Sequence, residues 1–342
     1  MRPRALVLRL CLTTLACLTA LCGLSHAQTL PVLHLEREIP LPGVQGRIDH
    51  LSVDLVGQRV FLSALGNGTV EEIDLAQGRR AAEIKGLEEP QGILYLPSNS
   101  VLYVASGGDG TVRSYDGRTL QPLKSVSLGD DADNLRFNPV RNTVLVGYGS
   151  GAIAELGLDL SRRGEVRLPA HPESFQVAAD GGRLFVNLPR NLSLAQVDLE
   201  KGTANAGWAH PGELANFPMA WDEQHARLYI ACRTPARLIT IDAATGKVLQ
   251  RIPTVGDADD LFYDPARHLL YVIGGEGYID VVRADAGGQL ASVAHVPTAP
   301  GARTGLFVPQ RNELLVAAPR RGEQPARVLI YSANGSGKGG GN

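Results

Sequence analysis

The 342-residue chain has four cysteines, and three of them, Cys11, Cys17 and Cys22, fall near its N-terminus. Only Cys232 lies further on, so no internal disulfide can staple the body of the protein, and stability must come from core burial. Net charge is also small. The 33 basic and 35 acidic side chains leave a formal −2, which excludes a bulk attraction to nucleic acid or to an anionic membrane surface. Aromatics make up 5% of residues. The apolar run Leu10–Leu24 is shorter than the ~20 residues of a spanning helix. Several catalytic signatures are missing as well: a Ser-His-Asp set, a metalloprotease motif, paired CxxC motifs, a CxxCH haem site and a dinucleotide fingerprint.

What is present is glycine, 39 residues, with 21 prolines and many short β-like runs. That mix indicates an all-β fold rich in turns. The N-terminus reads separately. Arg2 and Arg4 precede the apolar run, and Ser25 and Ala27 stand at −3 and −1 of a cleavage site. Residues 1–27 are therefore expected to be a cleaved secretory signal. An uncleaved anchor would need charge after the run, and "TALC" places Leu21 where a lipobox needs a small residue. Losing Arg2, Arg4 and Arg9 from the 33 basic residues leaves 30 against 35 acidic ones, a mature charge of −5. Cys232, in the strand-like "RLYIACRT", reads as a small buried hydrophobe rather than a nucleophile.

The body is a repeat. β-rich runs start at Val60, Leu102, Val144, Leu184, Leu228, Leu270 and Leu314, steps of about 40–44 residues, the size of a propeller blade. They read "VFLSA", "LYVAS", "VLVGY", "LFVNL", "LYIAC", "LYVIG" and "LLVAA". Asp74, Asp116, Asp198 and Asp242 follow at one fixed offset, with Asp159 and Asp285 one place later. Aspartate opening and glycine closing a turn is hairpin chemistry, so these aspartates are expected to be structural. Each unit holds about four strands; in the third they are "NLRFN", "NTVLVGY", "AIAELGL" and "GEVRLP". The expected fold is an all-β, seven-bladed β-propeller with four antiparallel strands per blade.

The seventh unit has three clear strands, and "VLHLEREIPL" (32–41) is expected to supply the fourth and close the ring, hiding free edges. The propeller is expected over 28–332 as one domain, with 333–342 a flexible Gly-rich tail. A β-sandwich pair would not produce the regular step, and an open solenoid would need capping units.

"LYVASGGDGTVRSYDGRT" (102–119) and "RLYIACRTPARLITIDAATGKVLQRIPTVGDAD" (227–259) resemble the YVTN-type, WD-like β-propeller repeat: an aromatic-Val-small-polar strand, a strand ending in Asp, then a T-G-K turn. The whole mature chain is similar to the YncE-like secreted members of that family. The resemblance implies a propeller and export, and it says little about chemistry, because propellers host many functions.

In a propeller the innermost strand of each blade lines a central channel. The segments leading into these strands are "RIDHL", "EPQGI", "DADNL", "HPESF", "ANFPM", "DADDL" and "GARTG". Aligned, one column reads Asp49, Gln91, Asp133, Glu173, Phe217, Asp259 and Arg303. The next reads His50, Gly92, Asn134, Ser174, Pro218, Asp260 and Thr304. Asp49, His50, Gln91, Asp133, Asn134, Glu173, Asn216, Asp259, Asp260 and Arg303 are the candidate ligand-binding residues. Asp133 and Asp259 are three blades apart, nearly across the channel.

Clustered carboxylates repel and must be protonated, paired or bound to a cation. Three arrangements satisfy them. Asp49, Asp133, Glu173 and Asp259, with the Asn134 carbonyl, are hard donors suited to Ca²⁺ or another divalent cation, and His50 and His171 would extend the set to a transition metal. Alternatively Arg47 and Arg303, with Arg190, Arg233, Arg320 and Arg321 from the loops between second and third strands, neutralise them. Or the acids cap turns and bond neighbouring blades. "GGDG" (107–110) reads as a tight turn, "HPESF" and "HPGEL" as blade-to-blade loops, and Trp208 and Trp221 as packing.

The leading expectation is an exported binding or scaffold protein with a polar ligand site at the channel mouth, with "PRRGEQPA" (319–326) as one wall. Its partner would be a small molecule or a protein, not nucleic acid, with no membrane span after signal cleavage, and the chain is expected to be a monomer. A metal-dependent hydrolase of the gluconolactonase-like propeller type is the alternative; there the cation would polarise a carbonyl and activate water. A structural subunit of a redox complex is the third reading, with no residue pointing to it.

Overall fold

The computed structural model describes residues 32–205, 207–209 and 212–333. The expected signal, His210 and the tail beyond Ala333 lie outside the described residues. The rest forms seven antiparallel sheets arranged as a β-propeller. The innermost strands are Leu51–Asp54, Pro90–Leu96, Ala132–Asn138, Phe175–Val177, Leu214–Asp222, Ala258–Asp264 and Thr304–Val308. The second strands are Arg59–Ala64, Val101–Ser106, Thr143–Tyr148, Arg183–Leu188, Arg227–Thr234, Leu269–Gly274 and Glu313–Ala318. Each begins one residue before the start read from the repeat.

Second strands are almost continuously apolar because both their faces are covered by neighbouring blades. Along Arg227–Thr234, Tyr229 and Ala231 pack toward the sixth blade, while Leu228, Ile230 and Cys232 pack toward the fourth. The core is accordingly divided into seven clusters, one between each pair of adjacent blades. Fully burying a large apolar side chain contributes about 1.5–3 kcal/mol, and these clusters hold the ring without a disulfide. Burial pushes the Cys232 thiol up to about 12, as expected for a packed cysteine and not for a nucleophile. Trp208 and Trp221 pack beside Phe185, with ring centroids 6.3 and 5.0 Å away. Outer strands such as Arg79–Lys85 are mostly polar and exposed, which suits a sheet edge.

The ring closes as the sequence indicates. Leu33–Leu41 pairs antiparallel with the last strand, Ala326–Ala333, and becomes the outermost strand of the seventh blade. Ile39 and Leu41 are fully buried there against the first blade. The repeated aspartates cap turns: Asp74, Asp116, Asp159, Asp198, Asp242 and Asp285 each accept a backbone N–H two to four residues ahead.

Candidate functional site

Each innermost strand runs away from the mouth, and most begin with a bulge. Asp49 N–H donates to the Ser63 carbonyl at 2.8 Å and Ser63 N–H donates to the His50 carbonyl at 3.0 Å, so two residues oppose one. Glu173 and Ser174 oppose Asn187 in the same way. Register shifts occur at Pro90/Ile93, Ala132/Leu135, Asn216/Met219 and Ala258/Asp260. A bulge bends its strand and re-aims a side chain. Glu89, Asp131, Ala215 and Asp257, each two residues before a mouth position, take left-handed φ values of 50°, 37°, 59° and 54°. Non-glycine residues seldom adopt this conformation. At Gly92 the bulge presses on the next blade, where a Cβ would collide with the Asp133 carbonyl oxygen.

These bulges surround a cavity of about 130 Å³ whose walls include Arg47, Asp133, His171, Glu173, Arg233 and Asp259. Asp259 is its most heavily engaged acid. Arg233 Nη2 donates to Oδ1 at 2.6 Å, and Arg303 Nε lies 2.9 Å from Oδ2 as an ion pair outside hydrogen-bond alignment. Burial pushes the Asp259 carboxyl up to about 6 against the pull of Arg233. Arg233 also lies 3.9 Å over the Phe217 ring centroid, a cation–π contact that fixes its guanidinium. Arg47 reaches over the opening, 2.8 Å from Asp49 Oδ2 and 3.9 Å from Asp259 Oδ2.

The histidines act as cations. Burial alone would pull the His50 imidazole down, but Asp260 and Asp49 outweigh it and push it up to about 10. Its ring nitrogens lie 3.6 Å from each carboxylate. His171 Nδ1 lies 2.6 Å from the Gly149 carbonyl, and its ring stands 3.5 and 3.9 Å from Asp131 and Asp133. Against burial, Asp133 and the Gly149 carbonyl raise it to about 9. Asp133 is buried, which opposes ionisation, yet His171, His50 and Arg47 hold it below the usual carboxylate range.

Glu173 differs from its neighbours. Its carboxyl makes no hydrogen bond or ion pair among the described residues, and burial followed by Asp133 pushes it up to about 8. At neutral pH it is mostly a neutral acid able to donate a proton. Arg190 also reaches the mouth cavity without an ion pair among the described residues. Alongside lies a second cavity of about 290 Å³ lined by Arg47, Arg303, Arg320, Arg321 and one acid, Asp257. Pro319, Arg320 and Arg321 of the loop "PRRGEQPA" line this second cavity and not the mouth cavity itself.

Nine of the ten candidate residues therefore gather at the mouth or just below it. Gln91 donates to Asp131 at 3.4 Å. Asp260 is partly structural, since its carboxylate accepts the Gly305 amide of the next blade at 2.8 Å. Asn134 is buried beside a narrow neck of about 20 Å³ with its Oδ1 unpaired. Asn216 is the exception. The bulge sends Phe217 to the mouth and turns Asn216 into the wall, where its amide donates to Asn187 Oδ1 and the Ser193 carbonyl. Asp130 is exposed, whereas its neighbour Asp131 lines the cavity and faces His171. The sequence signal for Asp131 and Asp257 is that each stands two places before a mouth aspartate. No group of three or more His, Cys, Asp or Glu side chains among the described residues is placed to hold a metal ion.

No known family's sequence profile matches the chain, and no curated protein matches it. Solved structures do. The chain is similar to one from "Kuenenia stuttgartiensis Hydrazine Synthase", with a TM-score of 0.71 and 17% identity over 81% of this chain and 95% of that one. It is also similar to a chain in "Crystal Structure of Mitotic Checkpoint Complex", with a TM-score of 0.74 and 16% identity over 97% of this chain and 99% of that one. At these identities the likeness is one of fold, and the fold shared is the seven-bladed β-propeller.

Proposed function

We propose that this is an exported, YVTN-type binding or scaffold propeller whose channel mouth holds a polar ligand bearing an acidic group. Export rests on the leader sequence, and the family on the repeat motifs. The observation that carries the ligand reading is the set of groups left unused at the mouth. Asp49, Asp133 and Asp259 are engaged by Arg47, His171, Arg233 and Arg303. Glu173, as a neutral donor, and Arg190, as an unpaired cation, face the same cavity. Arg320 and Arg321 extend the cationic wall. A carboxylate or acidic peptide end would meet a guanidinium fork and a carboxylic acid proton together. A metal-dependent hydrolase would need those carboxylates free to ligate, and Arg47, Arg233, Arg303 and His171 already pair with them.

The test is a melting-temperature series with glutamate, citrate, Gly-Glu and Ca²⁺. At least one acidic probe should raise the melting temperature, and Arg190→Gln should remove the rise. A stabilisation by Ca²⁺ alone, lost in Asp133→Asn, would replace this reading with the metal one. No shift with any acidic probe would refute it.

A further inference from the structure

Below the neck the innermost strands enclose a chamber of about 340 Å³. Three residues past the mouth position, blade after blade sends a side chain to one level: Ser52, Leu94, Arg136, Gln176, Phe262 and Leu306 line it. Arg136 is the one charge at this level; His50 and Asp260, which pair with each other at 3.6 Å, line the chamber nearer the mouth. Arg59, Arg227 and Arg267, also half-buried, each hold a carboxylate at 2.7–2.8 Å. Arg136 forms no ion pair among the described residues. Its Nη1 donates to the Leu135 carbonyl at 2.8 Å, and its guanidinium lies 5.6 Å from the Phe175 ring centroid. Nε and Nη2 have no acceptor among the described residues. Burial lowers the Arg136 pKa, against the weaker pull of Asp260 and Asp133. An unpaired buried charge is costly.

We propose that this chamber binds a small organic monoanion, a carboxylate on a short apolar body, with Arg136 as its counter-charge. The planar guanidinium matches a carboxylate through two parallel hydrogen bonds. Ser52 Oγ accepts the Tyr95 amide at 2.8 Å and keeps its own proton to donate. Leu94, Phe262 and Leu306 offer the hydrocarbon wall that a bare inorganic anion would leave unused. The neck of about 20 Å³ has room for about one water molecule, too little for one organic anion to fill both the chamber and the mouth. The proposal does not rest on the mouth ligand.

Isothermal titration of the mature protein with benzoate and hexanoate, and with benzyl alcohol as the uncharged control, tests it. Benzoate should bind once per chain and at least about tenfold more tightly than the alcohol. Arg136→Gln should weaken benzoate by about tenfold or more, the scale of one charge-assisted contact. Arg136→Lys should fall between the two, and Val56→Ala, at an exposed turn away from the chamber, should leave benzoate unchanged. Absence of saturable binding, equal affinity in Arg136→Gln, or equal saturation by chloride or phosphate would overturn the proposal. If Arg136→Gln does not fold, saturation-transfer NMR on the wild-type protein decides. Benzoate must receive magnetisation from the Leu94 and Leu306 methyl groups; transfer only from surface methyls overturns it.

Discussion

Replacing Glu173 with glutamine should make the protein less sensitive to rising pH. In the folded state the Glu173 carboxyl titrates at about 8, against 4.5 for an ordinary glutamate. Between those values the folded chain holds a proton that the unfolded chain has released. Stability then falls as pH rises through the window. At about 1.36 kcal/mol for each pH unit the full span gives an upper bound of about 5 kcal/mol, and solvent at the mouth reduces it to roughly 2–4 kcal/mol. Glutamine matches the protonated acid in shape. Glu173→Gln should therefore equal the wild type within about 1 kcal/mol near pH 5 and exceed it by about 2–4 kcal/mol near pH 9. Urea denaturation at both pH values measures the difference, and carbon-13 NMR of the carboxyl reads the titration directly. A Glu173 that titrates near 4.5, or a variant with the same pH dependence as the wild type, would show that this acid is solvated and does not carry the mouth chemistry.

Four further outcomes follow from the same geometry. His50 is raised from 6.5 to about 10, so its contribution is complete below pH 6.5 and lost as pH climbs toward 10; His50→Gln should flatten that decline, and an unchanged slope would place the titration elsewhere. Ile39→Ala in the closing strand removes a fully buried side chain and should cost about 2–5 kcal/mol by urea denaturation. Val56→Ala, at a side chain 91% exposed, should cost under about 0.5 kcal/mol, and equal losses would mean that the strand does not close the ring. Gly92→Ala should destabilise by roughly 1–3 kcal/mol because the new methyl meets the Asp133 carbonyl; a neutral result would deny the close approach. On the proposed export, intact-mass measurement of the chain produced with its leader should give a mature N-terminus at Gln28, and a retained Met1 would end the cleaved-signal reading.

The blade plan was legible because its cause is periodic. A strand buried on both faces needs an unbroken apolar run, so seven such runs at a nearly constant step reveal seven sheets. The closing strand followed by count, since the seventh unit lacked its outer edge. Column alignment also found most of the mouth, because equivalent positions in equivalent blades point the same way. It failed where backbone conformation decides orientation. Asn216 and Phe217 are neighbours in sequence, and the bulge after Ala215 determines which of them faces the opening. Asp131 and Asp257 lie outside the aligned columns, and the left-handed turn at each brings Asp131 to the mouth cavity and Asp257 to the one beside it.

Arg136 shows a different limit. Its column reads Ser52, Leu94, Arg136, Gln176, Ala220, Phe262 and Leu306, a mixture with no chemical theme. Only the closed ring shows Arg136 as the chamber's one cation without a carboxylate partner among the described residues, since His50 there pairs with Asp260. Charge pairing was equally hidden. Asp133 and Asp259 were expected to face each other and repel, and composition alone left a cation, arginines or backbone amides to satisfy them. Which of these does so depends on side-chain reach: Arg47 spans from Asp49 toward Asp259, and Phe217 holds Arg233 in line with the same carboxylate. The acids are thus balanced by fixed guanidinium and imidazolium groups, and the functional question moves to the groups that balance leaves over, Glu173 and Arg190 at the mouth and Arg136 in the chamber.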